Sequence, residues 1–92
     1  MMRLYCLVTK YHEHAEEAYR VSYAIYEGNP AWPALPIGHI RRAYSVEVDD
    51  GHAEWIAFDR QSRPFSGETP EAALEAFADR PSWQPCHHLE PL

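Results

Sequence analysis

The chain has 92 residues, which predicts a single domain. Hydrophobic residues make up 46% and aromatic residues 13% of it, enough for an apolar core, so disorder throughout the chain is excluded. The formal net charge of −6 near neutral pH argues against a nucleic-acid backbone as the main partner.

No apolar run is long enough to span a bilayer, and no signal-peptide pattern is present. These features predict a cytoplasmic protein without membrane association. The chain has two cysteines, Cys6 and Cys86. In the cytoplasm Cys6 is expected to be a reduced thiol that packs as a small hydrophobe, whereas a Cys6–Cys86 bridge would tie the first strand to the tail and require export.

The first two predicted elements are a strand over residues 3–10 and a helix over residues 11–28. The strand is apolar on both faces, as expected near the centre of a sheet. The helix is predicted because tyrosine, alanine, serine and isoleucine recur at helical spacing until Gly28. A proline-rich loop follows over residues 30–38. Trp32 and Leu35 lie between its prolines, either as a lid on the sheet or as an exposed docking element.

Residues 39–60 predict a β-hairpin. Polar and apolar residues alternate from Ile40 to Val48, residues 49–51 (Asp-Asp-Gly) favour a tight turn, and both faces are apolar around Trp55 and Phe58. Residues 61–67 predict a turn, with a short edge strand as the alternative, in which Pro64 limits pairing.

A second helix is predicted between Thr69, a favourable N-cap, and Pro81, which stops it. Its apolar stripe is Ala73, Leu74, Phe77 and Ala78. The predicted fold is therefore α+β: a small antiparallel sheet with two helices on one face, in the order β-α-β-β-α. Residues 1–81 form the single domain and residues 82–92 the C-terminal tail. A tail strand at residues 84–89 would give the ferredoxin-like order βαββαβ, and the uncovered sheet face predicts a homodimer.

Two stretches resemble the RNA recognition motif family: residues 4–8 (LYCLV) resemble its first-strand motif, and residues 51–58 (GHAEWIAF) its third. That family stacks bases on sheet aromatics beside basic groups. Here Asp50 and Glu54 stand where the family carries a basic residue and a stacking aromatic. Nucleic acid is therefore not expected as the partner.

No catalytic, metal or cofactor site is predicted, and the protein is not expected to be an enzyme. The chain has six histidines, but no HExxH or CxxC motif and no G-x-S-x-G motif. The histidines nearest to a ligand set lie at the two ends, as His12-x-His14 and as His87 and His88 beside Cys86. If the protein were an enzyme, its site would lie between subunits near His39, His52 and Asp59, which flank the hairpin.

The most specific surface feature is a row of four carboxylates, Glu68, Glu71, Glu75 and Asp79. Their spacing of three, four and four residues places them on one ridge of the second helix. Such a ridge is either a solvated face or a surface that attracts a basic partner.

These features predict a small acidic, non-enzymatic protein-binding module. Trp32 and Leu35 would anchor a protein partner with a basic surface, and the four carboxylates would steer its approach. A concrete version is a phage or mobile-element accessory protein that inhibits a nucleic-acid-handling host protein. The alternative is a small dimeric enzyme or ligand-binding domain, with a site at the sheet face or at the His-rich ends.

Overall fold

A computed structural model of the protein describes residues 3–28, 34–44, 54–79 and 81–85. The strands are β1 (Arg3–Tyr11), β2 (Val21–Glu27), β3 (Gly38–Arg42), β4 (Trp55–Asp59), β5 (Pro64–Gly67) and β6 (Pro81–Pro85). A 3₁₀ turn covers Glu17–Tyr19, and α1 (Pro70–Phe77) is the α-helix of the described residues. In this part of the chain, no helix has the length and apolar character to cross a membrane.

The six strands form one mixed, curled sheet in the order β5-β4-β3-β2-β1-β6, which resembles half of a barrel. Strands β1 to β5 follow one another as antiparallel neighbours. Helix α1 follows β5, and β6 then lies parallel to β1 at the far edge, with Tyr5 opposite Trp83. The chain therefore returns from one edge of the sheet to the other after α1.

The predicted α+β fold, with two helices in a ferredoxin-like order, is wrong, because the first helix does not form. Residues 11–28 instead complete β1, make the 3₁₀ turn and form β2. The apolar residues of 21–26 fit helical spacing, but they also alternate, and β-branched and aromatic side chains favour a strand. Antiparallel pairing with β1, which sets Leu7 opposite Ile25, decides between the two patterns.

The two strands of the predicted hairpin do pair, with Ile40 opposite Ala57. Strand β3 ends at Arg42, earlier than the alternation predicted, and the predicted turn at residues 49–51 lies outside the described residues. Strand β5 is an edge strand, as expected from Pro64. The last strand begins at Pro81, three residues before the predicted start at Gln84.

The main core lies between the sheet and α1. Its buried members are Tyr5, Leu7, Ile25, Ile40, Ala57, Ala73 and Leu74. The predicted second helix is confirmed, although it ends at Phe77: the Thr69 hydroxyl accepts a hydrogen bond of 3.0 Å from the Ala72 backbone N–H, and Pro70 is the first helical residue. Residues whose side chains alternate with this core face the other side of the sheet, where Cys6, Ala24 and Tyr26 form a smaller cluster.

Cys6 is 1% exposed and disulfide-bonded, so the expected reduced thiol is wrong. Cys86, the other cysteine of the sequence, lies outside the described residues. Cytoplasmic localisation stays a prediction.

Candidate functional site

The predicted partner-binding residues lie around α1 and in the loop before β3. Leu35 is 75% exposed, whereas Trp32 lies outside the described residues. All four predicted carboxylates are exposed. Glu71 and Glu75 are on α1, while Glu68 precedes its N-cap and Asp79 follows its C-cap. Within the described ranges, none of these carboxylates forms an ion pair.

A cavity of about 490 Å³, here called the helix-end cavity, opens beside the C-terminal end of α1. Tyr5, Ile37 and Phe77 give it apolar walls, and the Tyr5 and Phe77 rings meet edge to face at 6.4 Å. Arg3, Glu27 and Asp79 supply its charged lining. Ile37 is two residues from Leu35, so the fold brings the loop and Asp79 to one region. Glu68 lies at the opposite end of α1.

Asp59, a candidate for catalysis, is engaged in the turn between β4 and β5. Its Oδ1 accepts hydrogen bonds of 2.9 Å from the backbone N–H groups of Gln61 and Arg63, and its Oδ2 accepts one of 2.6 Å from Arg63 Nε. The hydrogen bond from the Arg63 backbone N–H contributes most to lowering the pKa of Asp59 below its usual value. Asp59 and His39 border one cavity of about 300 Å³, but no hydrogen bond joins them. His52 lies outside the described residues.

A further cavity, of about 400 Å³, is here called the sheet-face cavity because it lies on the side of the sheet opposite α1. Its lining residues are His12, Ala15, Tyr19, Ser22, His39, Arg41, Arg42 and Tyr44. The register of β2 and β3 places Ala24 opposite His39 and Tyr23 opposite Ile40. In the same register Ser22 lies opposite Arg41, and both lie on the face of the sheet that carries His39.

The loop between β1 and β2 closes one side of this cavity. The His12 backbone N–H donates to the Arg20 carbonyl at 2.7 Å, and Arg20 Nε donates to the Ala15 carbonyl at 3.1 Å. These contacts hold His12 over the sheet, where its Nε2 and the Ser22 hydroxyl share a hydrogen bond of 2.7 Å. Tyr19, at the end of the 3₁₀ turn, packs its ring 5.0 Å from that of Tyr44.

Arg41 and His39 form the other wall, on β3. The Arg41 guanidinium lies 4.6 Å from the centre of the Tyr44 ring and 4.9 Å from that of Phe58. The His39 ring stacks on the same Phe58 ring at 5.1 Å. Burial, and then the positive charge of Arg41, lower the pKa of His39. The neutral imidazole of His39 is therefore favoured near neutral pH.

Arg42 borders the cavity, but its charge is directed elsewhere. Its guanidinium lies 5.3 Å from the centre of the Trp55 ring and 3.4 Å from Glu54 Oε2. Trp55 packs against the core beneath α1, on the other face of the sheet. Successive residues of a strand point to opposite faces, so Arg41 is the arginine of β3 that faces the cavity.

The described residues that line the sheet-face cavity include arginine, histidine, serine and tyrosine and no carboxylate. Among residues 3–28, 34–44, 54–79 and 81–85, no cluster of three or more His, Cys, Asp or Glu side chains could hold a metal ion. In the same ranges, no carboxylate forms a hydrogen bond with the second ring nitrogen of His12.

The residues that surround His39 are not among the predicted site residues. Ser22 and Tyr19 fall within the predicted first helix, and Arg41 falls on the polar face of the predicted hairpin. The signal that could have found Ser22 is the alternation of residues 21–26, which places it between the apolar Val21 and Tyr23. No sequence signal could show that His12 reaches Ser22, because that contact depends on the closure of the loop.

Comparisons with known protein families, with curated proteins and with solved structures find no match for this chain.

Proposed function

We propose that the protein is a small acidic protein-binding module, whose carboxylates around α1 meet a basic surface of another protein. The observation that carries this proposal is the exposure of Glu68, Glu71, Glu75 and Asp79, none of which forms an ion pair among the described residues. Exposed carboxylates that no described cation pairs with leave a negative potential that a basic partner can meet.

The helix-end cavity supports the same surface. Its apolar walls and the carboxylates of Glu27 and Asp79 fit a long basic side chain, which can bury its methylene stem and present its charge to oxygen atoms. Glu27 is already 3.9 Å from Arg3, a weak and exposed pair that an incoming cation could replace. Leu35, two residues before the Ile37 that lines this cavity, is exposed and offers an apolar anchor.

The concrete form of this proposal is an accessory protein of a phage or mobile element that inhibits a nucleic-acid-handling host protein. A protein that binds phosphate backbones presents clustered arginine and lysine. A row of carboxylates offers such a surface a competing negative charge. This mode of action requires no cofactor and no catalytic residue of the inhibitor.

The test begins with capture of the partner from a lysate of the native host, followed by kinetics with charge-reversed variants. We expect Glu71→Lys combined with Glu75→Lys to lower the association rate by about tenfold at low salt, because opposite charges steer the encounter. The matched control is Glu16→Lys combined with Glu17→Lys, which makes the same change in net charge on the exposed loop between β1 and β2.

Surface plasmon resonance at low and high salt measures both pairs of variants. A control pair that slows association as much as the α1 pair would show that only net charge matters, and would contradict a docking surface around α1. Association unaffected by the α1 pair would contradict the proposal as a whole.

The alternative, a ligand-binding domain with its site at the sheet face, is favoured by a separate observation, the sheet-face cavity. It does not compete with the acidic surface, because the two lie on opposite sides of the sheet.

A further inference from the structure

The side of the sheet opposite α1 carries a small apolar cluster that is almost fully buried. Cys6 is 1%, Ala24 7% and Tyr26 8% exposed, although α1 packs on the other face. In the described part of the chain, the apolar residues that pack against this cluster are Val8 and Ala34, and neither is large. Burial of a tyrosine ring requires more apolar contact than these two side chains supply. Further chain therefore covers this face.

Cys6, which belongs to this cluster, carries a covalent link. It is disulfide-bonded, and Cys86 is the other cysteine of the sequence. Strand β6 lies beside β1, with Gln84 opposite Cys6, and it ends at Pro85. Cys86 is thus the residue that follows a strand paired with the strand of Cys6. The sheet therefore brings the two cysteines of one chain within reach of each other.

We propose that a Cys6–Cys86 bridge holds the tail segment, residues 86–92, over this face as a cover that a dithiol reductant releases. If β6 continued straight, the Cα atoms of Cys86 and Cys6 would lie about 8 Å apart, because strands are spaced by about 4.8 Å and rise by about 3.3 Å per residue. A disulfide spans at most about 7 Å between Cα atoms. The bridge therefore requires the chain to turn after Pro85, towards the face on which Cys6 lies.

The composition of the tail segment fits this face. Its sequence, CHHLEPL, contains two leucines, Leu89 and Leu92, which supply apolar contact for Tyr26 and Ala24. A bridge at the first residue of the segment keeps these leucines at a high effective concentration beside the cluster, so that few contacts are enough to hold them. The cover lies on the opposite side of the sheet from the acidic surface around α1, and the inference does not depend on the proposed function.

Release of the cover is a reduction of the bridge by two electrons. A thiolate of the dithiol attacks one sulfur, which breaks the S–S bond, forms a mixed disulfide and leaves the other cysteine as a thiolate. The second thiol of the reductant then attacks the mixed disulfide. The reductant leaves as a cyclic disulfide, and the two cysteines take up the protons that the dithiol loses. The tail segment is then held by apolar contacts alone, so the cluster opens to solvent.

The first experiment tests the bridge. Purified protein is equilibrated with an excess of oxidised glutathione and then unfolded in urea with iodoacetamide, so that a buried thiol also reacts. Mass spectrometry of the intact protein gives the result. We expect an unalkylated monomer that is lighter than the reduced chain by two hydrogen atoms. Alkylation of both cysteines, or a disulfide-linked dimer, would overturn the proposal.

The second experiment tests the cover, by hydroxyl-radical footprinting of the oxidised protein and of the protein reduced with dithiothreitol. Tyr26 is the probe. Tyr5, which is 2% exposed and belongs to the core on the α1 side, is its matched control. We expect the modification of Tyr26 to rise several-fold on reduction and that of Tyr5 to stay unchanged. Cys86→Ser should give the raised Tyr26 signal whether or not the reductant is present.

A Tyr26 signal that changes neither on reduction nor in Cys86→Ser would overturn the cover. An equal rise at Tyr5 would also overturn it, because the bridge would then hold the whole sheet together. If Trp32→Ala raises the Tyr26 signal of the oxidised protein and Cys86→Ser does not, residues 29–33 are the cover instead. A Tyr26 signal that falls as the protein concentration rises would assign the cover to a second copy.

Discussion

At the scale of single residues, Asp59 shows how one carboxylate can define a turn. It accepts backbone hydrogen bonds from Gln61 and Arg63 and a side-chain bond from Arg63. Ser62, between them, has a φ of 63°, a left-handed conformation that costs a non-glycine residue about 1–2 kcal/mol. The hydrogen bonds to Asp59 offset that cost and direct the chain from β4 into β5.

The lowered pKa of Asp59 makes the stability of the protein depend on pH. In the unfolded chain an aspartate titrates near pH 3.9. Because the pKa is lower in the folded state, the contribution of Asp59 is fully present above about pH 4 and is lost as the pH falls through the folded value. We therefore expect Asp59→Asn to be less stable than wild type at about pH 7 and to approach wild type at about pH 3.

Urea unfolding of the two proteins at both pH values measures this difference. A loss of stability that is the same at both values would show that the charge of Asp59 is not what the turn requires. Glu68→Gln, which removes an exposed carboxylate without an ion pair in the described residues, is the control and should show little change at either pH.

At the scale of elements, α1 is placed by a close approach to the strand before it. A Cβ atom built on Gly67, at the end of β5, would lie 2.5 Å from the Ala73 backbone nitrogen and 2.6 Å from the Ala72 carbonyl carbon. Leu74 and Ala73 are fully buried as a result of that approach. The requirement at Gly67 is therefore space for the helix backbone, since its φ is not in the left-handed region.

We expect Gly67→Ala to lower the free energy of unfolding by about 1–3 kcal/mol, because backbone atoms of α1 must shift. Ser66→Ala, at the exposed neighbouring position of β5, is the control and should change it by less than about 0.5 kcal/mol. Chemical denaturation followed by tryptophan fluorescence measures both variants. If Gly67→Ala left the free energy of unfolding unchanged, α1 would not be held as closely to β5 as the structure shows.

At the scale of the whole molecule, the two sides of the sheet differ in charge. The α1 side carries the four exposed carboxylates, whereas Lys10 and Arg41 lie on the opposite face. Both edge strands contain prolines, Pro64 in β5 and Pro81 and Pro85 in β6. Because proline donates no backbone hydrogen bond, these edges are protected against pairing with a second chain.

A homodimer through the sheet stays a prediction, and the charges define how to test it. A two-fold dimer would bring Arg41 and Lys10 of two copies towards each other, so we expect association to strengthen as salt screens them. Light scattering at high micromolar concentration, in low and in high salt, measures the mass. A monomer under both conditions would contradict the dimer, and a dimer favoured by low salt would contradict the two-fold arrangement through this face.

The sequence was sufficient for elements whose signals are local. Thr69 and the apolar stripe of residues 73–78 predicted α1, and the apolar run of residues 3–10 predicted β1. It failed at residues 11–28, where helical and alternating patterns overlap. Of the four carboxylates whose spacing predicted one ridge of the helix, only Glu71 and Glu75 lie on α1, since the helix is shorter than predicted. The sheet-face cavity could not be predicted, because it depends on β2 and on the loop that precedes it.

By itself, therefore, the sequence determined the acidic balance, the helix with its N-cap and the strands that carry apolar residues on both faces, since these depend on side-chain chemistry and on neighbours within a few positions. Only the tertiary structure decided that residues 21–27 form a strand, that β6 lies parallel to β1, and that His12, Ser22, His39 and Arg41 meet in one cavity. The physical reason is that pairing with distant strands satisfies backbone hydrogen bonds and buries apolar surface in one register, and neither contribution can be read from local spacing.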